Sequence, residues 1–143
     1  MRSAAGWIAI LIASCAGCGK AQIPAREVRG AEDAYAEAQE ALKQKDYATA
    51  LDQFEAAIQG GGLNPDLLSE ALLRKAECHV ELGNYDEAAE LLDSLEDQAP
   101  ELDQVHLVRC KLYAKQGDSA KARAAFDAAR AINPKVEPPP NLN

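Results

Sequence analysis

The stretch GNYDEAAELLDSL, residues 83–95, decides the reading of this chain because its pattern occurs three times. KDYATALDQFEAA at 45–57 and GDSAKARAAFDAA at 117–129 align with it without gaps. The third copy starts 34 residues after the second, and the second starts 38 after the first. The excess is the insert GGGL, Gly60 to Leu63, ahead of Asn64-Pro65. A fixed period in this range marks stacked units, none of which can bury its apolar face alone.

Residue types recur in register. Each copy opens on a turn pair: Lys45-Asp46, Gly83-Asn84, Gly117-Asp118. Glycine there frees the backbone for left-handed angles at a helix end. Small residues follow at Ala50, Ala88 and Ala122, with a large one four places on, at Phe54, Leu92 and Phe126. The segment before each turn carries its own small residue: Ala38, Ala76, Cys110. Small residues let two helices approach, and the large one fills the adjoining hole. Tyr47 and Tyr85 brace the turn, where Ser119 breaks the pattern. Pro65, Pro100 and Pro134 punctuate the units, since proline cannot continue a helix.

These positions resemble the tetratricopeptide repeat, a pair of antiparallel helices in about 34 residues. The resemblance implies an all-α fold, an α-solenoid of about three helix-turn-helix units over residues 31–68, 69–102 and 103–134. Helices are expected near 27–44, 47–59, 65–82, 85–98, 101–116 and 119–132. Two columns depart from the family. Ala34, Leu72 and His106 stand where a bulky residue usually opens the first helix, and Glu37, Lys75 and Arg109 where leucine is common.

The resemblance also implies a concave face built from the first helices. Carried over position by position, repeat one supplies Tyr35, Gln39 and Lys43, repeat two Leu73, Glu77, Val80 and Glu81. Repeat three supplies Leu107, Lys111 and Lys115. This reads as an apolar strip of Tyr35, Leu73, Val80 and Leu107 flanked by acid on repeat two and base on repeat three. Such a face suits a protein or peptide partner of mixed charge. Some family members clamp a C-terminal carboxylate, but the matching positions here are Tyr35, Gln39, Arg74, Gln104 and Val108. Only Arg74 keeps that chemistry.

Composition narrows the function classes. The 143 residues carry a formal charge of −8, which repels phosphate and excludes nucleic acid as the expected partner. There is no Ser-His-Asp constellation, metalloprotease motif or glycine-rich phosphate loop, because Gly60-Gly61-Gly62 lacks the following Lys-Ser/Thr. The chain is therefore read as a non-enzyme without metal or cofactor. Cys78, His79, His106 and Cys110 are ligand types for zinc, but adjacent residues on a helix point about 100° apart. A Cys78–Cys110 disulfide is the other use open to them in an oxidising compartment.

The N-terminus sets the expected location. Arg2 precedes the apolar run AAGWIAILIA, Ala4 to Ala13, too short to span a bilayer but suited to a signal peptide. Ile12-Ala13-Ser14-Cys15 resembles the bacterial lipobox, which implies cleavage after Ser14 and a covalent lipid on Cys15; Cys18 is the alternative site. Residues 1–14 are then the signal and 15–30 a lipidated linker. Ala16, in place of an aspartate, favours the periplasmic face of the outer membrane in a two-membrane cell envelope. The tail 135–143, KVEPPPNLN, is expected to be disordered and to leave the last helix uncapped. Self-association through that end is the alternative to a groove-bound partner.

Overall fold

The computed structural model describes residues 25–98 and 102–139, and Cys15, Cys18 and Pro100 lie outside them. Six helices follow in order: α1 (Ala25–Lys43), α2 (Tyr47–Gly60), α3 (Pro65–Leu82), α4 (Tyr85–Glu96), α5 (Leu102–Lys115) and α6 (Ser119–Ile132). All lie within about two residues of expectation, and no strand occurs among the described residues. The fold is an all-α repeat solenoid of three helix pairs, α1–α2, α3–α4 and α5–α6.

Local chemistry sets the boundaries. Asp46 and Asp118 cap α2 and α6 by accepting the backbone N–H of Thr49 and Lys121. Asn84 has nearly the same backbone angles but makes no side-chain cap, and its amide lies instead 3.3 Å from His79 Nδ1. Asn64 caps α3 ahead of Pro65, which sits in the first helical turn where its missing N–H is harmless. Thus Pro65 begins a helix, whereas Pro134 follows the end of one. Gly83 and Gly117 turn the chain at φ 83° and 80°, and Lys45 holds the same left-handed region at φ 59°.

The small residues of the repeat pattern are all buried: Ala38, Ala76 and Cys110 in the first helices, Ala50, Ala88 and Ala122 in the second. Phe54, Leu92 and Phe126 fill the holes between them. The core is not divided at the repeat boundaries, however. Ala71 and Cys78 of α3 join Ala38, Ala50 and Phe54 in the first cluster. Leu73, Ala76 and Val80 of the same helix join Ala88, Leu92 and Leu95, together with Val105, Val108 and Leu112 of α5. Helix α3 accordingly packs against α2, α4 and α5.

This two-sided burial corrects the sequence reading of the apolar strip. Leu73 is 3% exposed and Val80 fully buried, so neither faces the groove. Their column is where the next repeat's first helix seats itself. In repeat three the same column, Leu107 and Ala114, packs on the cluster of Cys110, Ala122, Ala125 and Phe126, and among the described residues it is Val136 rather than a further helix that joins it there. The tail is described through Pro139, with Val136 partly buried. Asn133 is extended, as expected ahead of a proline. Its side chain donates to Asp103 Oδ2 at 2.8 Å and accepts from the N–H of Lys135, turning the chain back over α5.

Candidate binding face

The first helices place their polar residues along one face, and charge joins them across the repeats. Tyr35 is half-buried, edge-on to Phe54 with ring centroids 5.8 Å apart, and its hydroxyl accepts from Gln39 Nε2 at 2.8 Å. Gln39 also reaches Glu70 of α3 at 3.4 Å. Arg74 lies 3.0 Å from Glu77 and 3.7 Å from Glu70. Glu77 takes a second cation, Lys111 of α5, which also approaches Glu81 at 3.7 Å. Lys115 closes the series on Glu81 at 2.6 Å. Among the predicted polar residues Lys43 stands apart, exposed and paired within its own helix to Glu40 at 3.1 Å.

Acid on repeat two and base on repeat three are therefore not independent charges. They satisfy each other across the α3–α5 seam. Burial alone would raise the Glu77 carboxyl, but the hydrogen bonds and charges of Lys111 and Arg74 outweigh it and hold the group below its ordinary range. The hydrogen bond to Glu81 raises the Lys115 ammonium. Arg74, the sole survivor of the carboxylate clamp, is already occupied by two carboxylates.

A cavity of about 220 Å³ opens beside this series, lined by Arg74, Glu77, Gln104, Leu107, Val108 and Lys111, with Glu137 and Pro139 of the tail on its far side. It is smaller than the roughly 300–1,000 Å³ of small-molecule clefts, so it suits side chains of a peptide.

A second set of contacts accounts for the charged column of Lys75 and Arg109 where the family has leucine. Lys75 reaches Glu55 of α2 at 3.5 Å. Arg109 reaches Asp93 and Glu96 of α4 at 2.9 and 3.0 Å. Glu55 and Asp93 occupy one column of the repeat, Lys75 and Arg109 another. Each cation bridges to the second helix of the repeat before it. Glu37, in the same column of the first described repeat, is an exposed acid. Opposite charges in these two columns were the readable signal.

The zinc and redox candidates are not brought together. Cys78 lies in the first core cluster and Cys110 in the third, and both thiols are free and buried. Burial, and next the Glu77 charge, push the Cys78 thiol up to about 12. Burial raises Cys110 as well. Thiols this far from thiolate are poor nucleophiles. His79 lines a separate cavity with Glu55, Lys75 and Glu87, and burial followed by the Lys75 charge lowers its pKa. Among the described residues no group of three or more His, Cys, Asp or Glu is arranged to hold a metal ion, and no helix is long and apolar enough to cross a membrane.

Comparison with known proteins agrees with the geometry. Two family models described as tetratricopeptide repeat match, over residues 41–109 and 104–128. The first begins near the end of α1, whose Ala34 and Glu37 depart from the pattern. No curated protein and no solved structure matches the chain. Repeats of this kind suggest a scaffold for protein–protein interaction. With three helix pairs in register and two family matches that together run from residue 41 to 128, this part of the chain is built of tetratricopeptide repeats.

Proposed function

We propose that this protein is a lipid-anchored interaction scaffold of the bacterial cell envelope, holding a peptide or helix of a partner protein on the face formed by α1, α3 and α5. The observation that carries the reading is the cavity beside the ion-paired series, where Gln104 and Leu107 offer a hydrogen-bonding group and an apolar surface between cations and carboxylates. A partner there meets a patterned surface rather than one of single charge, which favours a segment of mixed character. Tyr35 and Gln39 extend the polar part of the face toward repeat one. The role is binding rather than catalysis.

Anchoring rests on the lipobox-like Ile12-Ala13-Ser14-Cys15, with Cys18 as the alternative, and a lipid on Cys15 would hold the repeats at the periplasmic face of the outer membrane. Two or more acyl chains give stable attachment where one is marginal. No other cofactor is part of this reading. Self-association through the end of the stack is the weaker reading: Val136 covers part of that end, while the outer residues of α1, such as Glu32, Glu37 and Glu40, are exposed and charged.

The test uses a photo-crosslinking residue at Gln104 and, as a control, at Asp52 on the exposed side of α2. Partner capture in membranes from Gln104 and not from Asp52 supports the groove. Equal capture from both, or capture from Asp52 alone, overturns it. Palmitate labelling that survives in Cys15→Ala moves the anchor to Cys18.

A further inference from the structure

We propose that residues 136–139 are a built-in occupant of the binding face, and that the natural partner displaces them with an extended segment of the same chemistry: a branched apolar residue, an acidic residue and proline. This rests on the groove reading above and adds what competes for the site.

Three observations carry it. Val136 packs on the cluster of Cys110, Ala122 and Phe126, beside Leu107 and Ala114. In the preceding repeat the equivalent place is taken by Val105, Val108 and Leu112 of α5. Val136 thus substitutes, with one side chain, for a helix that supplies three. Beyond it, Glu137 and Pro139 line the same cavity as Arg74 and Lys111. The acid of the tail therefore shares a cavity with two cations that are each paired to carboxylates of α3.

The cover is also weakly fastened. Its fixed points are the contact of Val136, the turn at Asn133 and the Asn133–Asp103 hydrogen bond. Among the described residues Glu137 forms no ion pair, and the cavity remains open between it and the helices. The run Glu137-Pro138-Pro139-Pro140 is restricted to extended or polyproline conformations, so a segment of this type loses little freedom on binding. A competing chain that fills the cavity as well as the Val136 site would bind better than the tail does. The tail nevertheless has the advantage of being tethered, with an effective concentration in the millimolar range for a short linker.

The experiment measures binding of a fluorescent peptide of residues 134–143 to the full-length chain and to the chain ending at Lys135. The expected result is binding to the shortened chain at least about tenfold tighter than to the full-length one, because the tethered copy no longer competes. A peptide in which the valine is aspartate and the glutamate is lysine should not bind. Circular dichroism establishes that the shortened chain keeps its helices, and if it does not, Val136→Asp in the full-length chain detaches the tail without shortening it. Equal affinity for covered and uncovered chains, or no binding to either, overturns the proposal. Crosslinking from Gln104 that persists in that case leaves the groove reading standing, so the two failures are separable.

Discussion

Lys111 and Glu77 stand 34 residues apart, one full repeat, and their charged ends meet across the seam between α5 and α3. Lys115 and Glu81 repeat the relationship one turn further on. Identical positions in successive repeats thus carry opposite charge, and the stack is cross-linked between α3 and α5.

This arrangement predicts a measurable coupling between repeats. Glu77 and Lys111 are only 20% and 33% exposed, so their pair is less screened than a surface one. A double-mutant cycle with Glu77→Gln and Lys111→Met should give about 1 kcal/mol of coupling in urea unfolding. Glu81 with Lys115, whose side chains are exposed to a similar degree, should give a coupling of similar size. Both couplings should shrink at high salt. Coupling near zero for the first pair would remove the seam as a source of stability.

The depressed Glu77 pKa gives the pH dependence a sign. The folded protein binds this proton less readily than the unfolded chain, whose ordinary value is 4.5. Its contribution is therefore fully present above that value and is lost as pH falls through the lower folded value. Urea midpoints measured from pH 6 downward should fall more steeply in the native chain than in Glu77→Gln. Parallel curves would show that Glu77 does not contribute.

Backbone strain is confined to one of three equivalent turns. Lys45 adopts φ 59°, where the other repeats have glycine. A side chain in this region costs about 1–2 kcal/mol, partly offset because glycine loosens the unfolded chain. Lys45→Gly should raise stability by about 0.5–1 kcal/mol with an unchanged m-value. A Cβ at Gly83 or Gly117 would meet nothing within 4 Å, so Gly→Ala there should lower stability through the backbone alone. An unchanged or lower midpoint for Lys45→Gly contradicts this account.

The buried thiols should behave as reporters of unfolding. Cys78, pushed up to about 12, and Cys110 are expected to react with a maleimide at pH 8 at least roughly a hundredfold more slowly in the folded chain than in urea. Peptide mapping distinguishes them from Cys15 and Cys18. Fast native labelling of Cys78 would restore a redox role to consideration.

Much of this organisation was legible in the sequence. The register of Ala50, Ala88 and Ala122 against Phe54, Leu92 and Phe126 located all six helices and the packing residues between them. The face was less legible, because one repeat column can mean two things. Leu73 and Leu107 occupy the same column, yet Leu73 is covered by α5 and Leu107 by the tail. The sequence pattern specifies the column, but what covers it depends on what comes next in the stack. The contact made by the tail is hidden for a related reason. Its prolines exclude a helix, but a single Val136 suffices to seat it on an apolar face, and no periodicity announces one residue. The pairs Glu55–Lys75 and Asp93–Arg109 were present in the columns and went unused because the columns were compared within repeats rather than between neighbours.

The double engagement of α3 bears on how such a chain can be rearranged. A cassette cut where the sequence repeat begins would carry Ala71 and Cys78 away from Phe54, and leave Leu73 and Val80 facing an unfamiliar neighbour. The two helices of a unit nevertheless share the larger part of their packing, so the sequence unit stays the segment that could be exchanged with least damage. A transplanted unit is therefore specified both by its own helix pair and by the second helix it is set against.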